Sequence, residues 1–141
     1  MTAKILNLKN PDTYTGNIKL AADALLSGKI VAFPTETVYG LGVCSDNSAA
    51  IDNLYNVKQR SKDKRLSIMI AKPVEVTKHV KQIPLIAKKL ISAFWPGPLT
   101  IILELDDKST VGLRNPDNRV IRDLINAVEI PIASTSANIS G

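Results

Sequence analysis

Six cations stand close together between Lys58 and Lys72: Lys58, Arg60, Lys62, Lys64, Arg65 and Lys72, with Asp63 the one acid among them. That local excess of five equals the net charge of the whole chain, 18 Lys and Arg against 13 Asp and Glu. A localised basic patch on an otherwise balanced surface suits an anionic partner, most simply phosphate. Arg presents a planar fork to phosphate oxygens and Lys a point charge, each contact contributing about 1.5–3 kcal/mol when well formed. The segment lacks the G-x-x-x-x-G-K-[ST] arrangement of a P-loop, so side-chain charge rather than a glycine cradle would hold the anion. Two further polar clusters interrupt the apolar pattern: Thr35-Glu36-Thr37 with Tyr39, and Ser134-Thr135-Ser136-Ala137-Asn138. The second offers hydroxyls, an amide and small residues that let backbone N–H groups approach a phosphate. No His or Lys lies near it in sequence to activate a serine, so a nucleophilic role is the weaker reading. Taken singly, each cluster reads more simply as a solvated turn, and the basic segment as a solvated charge run.

Each cluster lies next to the end of an expected strand, and strand ends with the loops after them are where open α/β sheets place their ligand sites. Residues 4–8 (KILNL) read as a first strand, and 16–27 as a helix with Ile18, Ala22, Leu25 and Leu26 on one face, stopped by Gly28. Lys29–Phe33 reads as a buried strand ending at Pro34, followed by a loop carrying Gly40 and Gly42. Ser48 is a plausible cap for a helix bearing Ile51, Leu54 and Tyr55, which runs out at the basic segment. Leu66–Ala71 reads as a strand, 84–95 as a helix closed by Pro96-Gly97-Pro98, and Leu99–Leu105 and Val111–Arg114 as strands around the turn-prone Asp106–Ser109. Asn118 caps a helix carrying Ile121, Leu124 and Ile125, and Pro131–Ala133 begins a last strand. Alternating strands and helices give an α/β (or α+β) sheet domain, one domain for 141 residues.

Composition narrows the function classes. Hydrophobic residues make up 45% without low-complexity tracts, and no apolar run reaches the roughly 18 residues of a membrane span. A lone cysteine, Cys44, reads as a small core residue, and the expected setting is a reducing cytoplasm. A single histidine, His79, expected at the surface, gives zinc sites and Ser-His-Asp triads little to draw on. Aromatic residues are 4% and none lies within the basic run, which disfavours stacking-based binding of single-stranded RNA there.

Five segments together resemble the YrdC-like threonylcarbamoyl-AMP synthases: Gly28-Lys29-Ile30-Val31-Ala32-Phe33-Pro34-Thr35-Glu36-Thr37-Val38-Tyr39-Gly40-Leu41-Gly42; Lys58-Gln59-Arg60; Trp95-Pro96-Gly97-Pro98-Leu99-Thr100; Val111-Gly112-Leu113-Arg114-Asn115-Pro116-Asp117; and Ser136-Ala137-Asn138-Ile139-Ser140-Gly141. They stand in the family's order, at family-like spacing, across nearly the whole chain. The resemblance implies an L-threonylcarbamoyladenylate synthase, a nucleotidyltransferase using L-threonine, bicarbonate and ATP, with magnesium carried by the phosphates and no metal site on the protein. The product would pass to a threonylcarbamoyl-transferase complex that modifies tRNA; tRNA or double-stranded RNA are further expected partners. The implied fold is a twisted, open mixed sheet flanked by helices with a concave basic groove. By resemblance, Thr37, Arg114 and Ser134 would meet threonine, Arg114 at its carboxylate. Arg60, Lys64, Thr110, Ser136 and Asn138 would meet ATP, and Lys58 and Arg60 would carry the chemistry.

The chain departs from the family pattern at three places. Ser61 and Arg65 stand where prolines are usual, which leaves more entropy to be lost when the loop orders. Met69 stands where many members have a histidine near the threonine, and methionine cannot donate that hydrogen bond. The family's domain also continues past the Ser-Ala-Asn-x-Ser-Gly motif, so the chain reads as C-terminally incomplete. The alternative to an enzyme is therefore a nucleotide- or RNA-binding module of the same fold.

Overall fold

The computed structural model describes residues 3–138. Its elements run α1 (Pro11–Leu26), β1 (Val31–Phe33), β2 (Gly40–Cys44), α2 (Ser48–Lys58), β3 (Ser67–Met69), a 3-10 helix (Pro73–Lys78), α3 (Leu85–Phe94), β4 (Ile101–Glu104), β5 (Thr110–Arg114), α4 (Arg119–Val128) and β6 (Ile132–Ser136). Six strands form one open mixed sheet in the order β1-β2-β6-β3-β5-β4. Only the β3–β5 pairing is parallel.

Side chains alternate across each strand, so the sheet has two differently covered faces. On one, Phe33, Cys44, Met69 and Ile132 pack against Leu25 of α1 and Ile121, Leu124 and Val128 of α4. On the other, Val43 and Ala133 meet Ala50 and Leu54 of α2, while Ile101, Leu103 and Leu113 meet Ala87 of α3 and Trp95. Cys44 is buried and its thiol donates to Leu25 O (3.4 Å); burial, with the charge of Asp46 adding, pushes that thiol up. His79 is half-buried, and burial lowers its imidazole. α1 and α4 are also joined by Tyr14, whose hydroxyl donates to Asp123 Oδ2 (2.7 Å) and whose ring lies 4.2 Å from the guanidinium carbon of Arg119.

The structure departs from the sequence reading in several places. Residues 3–9 contain no strand, although KILNL reads as one. The first helix begins at Pro11, where proline loses no hydrogen bond at N1 and the Asn10 side chain accepts from Asp12 N. Asn47, not Ser48, caps α2, its side chain accepting from Ala50 N at 3.0 Å. Gly40–Cys44 is a strand where a loop is expected. Its glycines are required because Phe33 lies across them: a Cβ on Gly42 would sit 2.8 Å from that ring and 2.4 Å from Ile132. Ser134 and Ser136 belong to β6 rather than to a loop after it.

Candidate functional site

The strand register lays out the site. Gly42, Ser134, Ser67, Gly112 and Ile102 align across five strands. One step to one side lie Cys44, Ile132, Met69 and Arg114. One step to the other lie Gly40 with Ser136, and Thr110 with Glu104. Alternation puts all of these on the face that α1 and α4 cover. The helices close only the end where Cys44, Met69 and Ile132 are packed. Beyond that the floor is hydroxyl and glycine, Ser134, Ser67 and Gly112, opening toward Ile102 with 70% of its surface exposed. At about 3.3 Å per residue, Arg114 and Thr110 stand roughly 13 Å apart along β5, one at each end of this floor.

The basic segment forms the Ser136 end. Lys58 is the last residue of α2, where the helix dipole favours a cation. It is 7% exposed, and its Nζ donates to Ser136 O at 2.8 Å. Gln59 then takes the left-handed conformation (φ 51°), with Gln59 N donating to Asn56 O and Arg60 N to Tyr55 O. That reversal sends Lys58 and Arg60 in different directions. Arg60 folds onto its own loop, Nε donating to Lys64 O (3.0 Å) and Nη2 to Arg65 O (3.0 Å). The Tyr55 hydroxyl also donates to Lys64 O (3.0 Å), and Arg65 Nη1 reaches Thr110 O (3.0 Å). The loop without prolines is therefore held by four donors from side chains, and Arg65 straps it to β5. A guanidinium carries five N–H groups, and these bonds engage two of Arg60's. Lys62 pairs with Asp52 at 2.9 Å on the exposed side, away from this arrangement.

At the other end, Arg114 is 12% exposed at its side chain. Its Nη2 donates to the Glu36 carboxylate and to Thr37 Oγ1 (3.3 Å), and its Nε is buried without a hydrogen-bond partner. The other Glu36 oxygen accepts from Asp117 N. The turn before β2 is held by Thr35, whose hydroxyl donates to Val38 O (2.6 Å) and accepts from Thr37 N (3.1 Å). Beneath Arg114, the amide of Asn115 is fully buried and donates to Ile70 O (2.9 Å), while Gly97 N donates to Asn115 O (2.9 Å). The Trp95-Pro96-Gly97-Pro98 segment is thus a brace for Arg114: Trp95 lies in the core with Nε1 donating to Leu99 O at 2.7 Å. In the middle of the floor, Ser134 is 2% exposed and its Oγ has no partner.

The fold therefore brings Thr37 and Arg114 into contact, sets Ser134 in the neighbouring row, and gathers Lys58, Arg60, Lys64, Thr110 and Ser136 around the opposite end. Asn138 bonds the Ser136 hydroxyl, while Ile139, Ser140 and Gly141 of the last motif lie outside the described residues. Sequence reasoning missed Ser67 as part of the site, and it named Glu36 and Arg65 only as members of the polar and basic clusters, with no role of their own. Ser67, a lone polar residue alternating with Met69 inside an apolar strand, carried a readable signal. The partner of Glu36 lies 78 residues away, and nothing local announces it.

Known proteins share the sequence and the fold of this chain. The family model for Sua5, YciO and YrdC, described as telomere recombination, matches residues 23–141. Threonylcarbamoyl-AMP synthase of Pyrococcus abyssi is 41% identical over 133 residues, 88% of this chain and 39% of that protein. The Bacillus subtilis enzyme of the same name is 39% identical over 92% of this chain and 40% of its own length. The crystal structure of P. abyssi Sua5 complexed with L-threonine superposes with a TM-score of 0.83 at 40% identity, over 89% of this chain and 40% of that one. The chain thus spans about two fifths of the length of these relatives. On the family match, the sheet shared with the P. abyssi protein and the order of its motifs, the chain belongs to the Sua5/YciO/YrdC family.

Proposed function

We propose that this chain makes L-threonylcarbamoyladenylate and pyrophosphate from L-threonine, bicarbonate and ATP, supplying a tRNA-modifying transferase. The observation that carries the reading is the hydroxyl-and-glycine floor between two cationic ends, Arg114 on one side and the Lys58–Arg65 segment on the other. Support for threonine as a substrate comes from the relative solved with L-threonine, and its seat at the Arg114 end is argued from the guanidinium that a carboxylate would meet there.

The chemistry follows from the charges. Threonine's neutral amine joins bicarbonate with loss of water, or carbon dioxide derived from it with loss of a proton to solvent, to give a carbamate. A carbamate oxygen then attacks the α-phosphorus of ATP, and the bond to the β-phosphate oxygen breaks to release pyrophosphate. Nucleophile and electrophile are both anionic, so neutralising charge and aligning the two account for most of the work asked of the protein. The Arg114 fork takes the threonine carboxylate, and Thr37 and Ser134 offer hydroxyls beside it. Lys58, Arg60 and Lys64 take the triphosphate and the departing pyrophosphate, with Thr110, Ser136 and Asn138 lining the nucleotide. ATP enters with magnesium on its phosphates, since Mg²⁺ keeps phosphate and water ligands and few carboxylates.

The test is incubation with ATP, bicarbonate and labelled threonine, following the adenylate and pyrophosphate. Product formation that requires all three substrates is expected. ATP binding with no product at high protein concentration would overturn the enzyme reading and leave a nucleotide-binding module.

A further inference from the structure

Glu36 stands against Arg114 in a way the reaction does not require. One carboxylate oxygen accepts from Arg114 Nη2 and the other from Asp117 N. Its side chain is 20% exposed against 12% for Arg114. The acid thus offers the guanidinium the same group that an amino-acid substrate would bring.

We propose that Glu36 is a latch: it holds Arg114 as a neutral pair in the empty protein, and the substrate carboxylate displaces it. The inference rests on reading Arg114 as the threonine-carboxylate receptor. Three features support exchange rather than permanent pairing. The more exposed partner is the one that leaves, so Glu36 regains water while Arg114 exchanges one carboxylate for another and is never left buried and unpaired. Arg114 retains a buried Nε–H with no acceptor, so Glu36 leaves its hydrogen-bonding capacity incomplete. Thr37 already lies on Nη2 at 3.3 Å, so the guanidinium keeps one anchor while the acids exchange. The latch has a use as well. ATP brings several anionic oxygens into the same groove, and an uncapped Arg114 would compete with the basic segment for them. A paired Arg114 attracts phosphate weakly, yet yields to a carboxylate that also brings an amine and a hydroxyl.

By linkage, removing the charge of Glu36 destabilises the empty state more than the threonine-bound state. Threonine binding is measured calorimetrically, without ATP, for the wild type and Glu36→Gln. The variant should bind threonine about five-fold more tightly or better. Its melting temperature without threonine should fall, and should recover more on adding threonine than the wild type gains. Weaker or unchanged threonine binding by Glu36→Gln, with the wild type still binding, would make Glu36 a fixed positioning residue and end the latch, leaving the proposed reaction intact. Binding by neither protein would end the latch as well, and product assays would judge the reaction separately. A second measurement needs no variant: hydrogen exchange at the Asp117 amide should quicken when threonine binds, because its acceptor has moved. Unchanged or slower exchange there would also overturn the proposal.

Discussion

Ser134 and Arg114 differ in what burial costs them, and that difference separates stability from function at single residues. The Ser134 hydroxyl is buried without a partner, a state that typically costs about 1–3 kcal/mol. Ser134→Ala should therefore leave thermal stability unchanged or slightly raised, while losing a neutral hydrogen bond to threonine of about 0.5–1.5 kcal/mol, a rise in threonine KM of up to roughly ten-fold. Differential scanning calorimetry beside initial rates checks both. A drop in stability with KM unchanged would make Ser134 a packing residue. Arg114→Lys keeps the charge but loses the fork, and should raise threonine KM by about ten-fold to a hundred-fold with little change in ATP KM. Equal rises for both substrates would remove Arg114 from the threonine end. These residues were legible in the sequence only in part. Lys58 and Arg60 stand out because their neighbours are also basic. The contact of Arg114 with Glu36 and Thr37 is made by the sheet order, which places β5 two strands from β6 although β6 follows it in sequence with α4 between.

Two glycines with different surroundings test which elements brace the site and which form its floor. A Cβ on Gly97 would fall 2.3 Å from Phe94 O, a backbone atom at the end of α3 that cannot swing aside. Gly97→Ala should cost about 1–3 kcal/mol in urea unfolding. Because Gly97 N holds Asn115 O, it should also weaken threonine binding at a distance. A Cβ on Gly112 meets Thr100 Cγ2 at 3.4 Å, an ordinary contact, so Gly112→Ala should fold nearly as well yet lower turnover by narrowing the floor. If the two variants lose stability equally, the brace and floor assignments are wrong. The Tyr14 hydrogen bond between α1 and α4 gives a pH test. Burial first, then the hydrogen bond to and charge of Asp123, push its phenol from 10.0 up to about 12. A raised folded value means the contribution is full below pH 10 and lost as pH rises through about 12. Tyr14→Phe should flatten that alkaline decline in thermal stability, and an unchanged decline would locate it elsewhere. The elements themselves were legible where local chemistry agreed with packing. Asn118 accepts from Val120 N (2.8 Å) at the start of α4, whose apolar face is strictly periodic. Gly40–Cys44 was not legible, because two glycines that read as a loop exist to let the Phe33 ring lie over a strand. Ser48 lost the capping role to Asn47 because both are good caps one residue apart. Asn47→Ala should cost about 1 kcal/mol and Ser48→Ala little.

Across the whole molecule the positive field is localised by how its cations are paired. Lys58, Arg60 and Arg65 donate to main-chain carbonyls, which orient them without cancelling their charge, whereas Lys62 is matched by Asp52. Three of the segment's cations are therefore held, with their charge uncancelled, around the Ser136 end of the floor. Binding of ATP there should weaken with salt, since the screening length shrinks from about 10 Å at 0.1 M to about 3 Å at 1 M. Charge that is oriented and partly buried should matter far more than exposed, paired charge. Lys58→Met keeps most of the aliphatic stem and should weaken ATP binding about ten-fold and flatten its salt dependence. Lys62→Ala should stay within about two-fold of the wild type at every ionic strength. ATP titrations of the three proteins across that salt range decide between a built site and a diffuse charge. Equal losses for Lys58→Met and Lys62→Ala would mean that the segment attracts anions only as a cloud. A loss confined to Lys58→Met would make the carbonyl of Ser136, by aiming that ammonium, part of the nucleotide site.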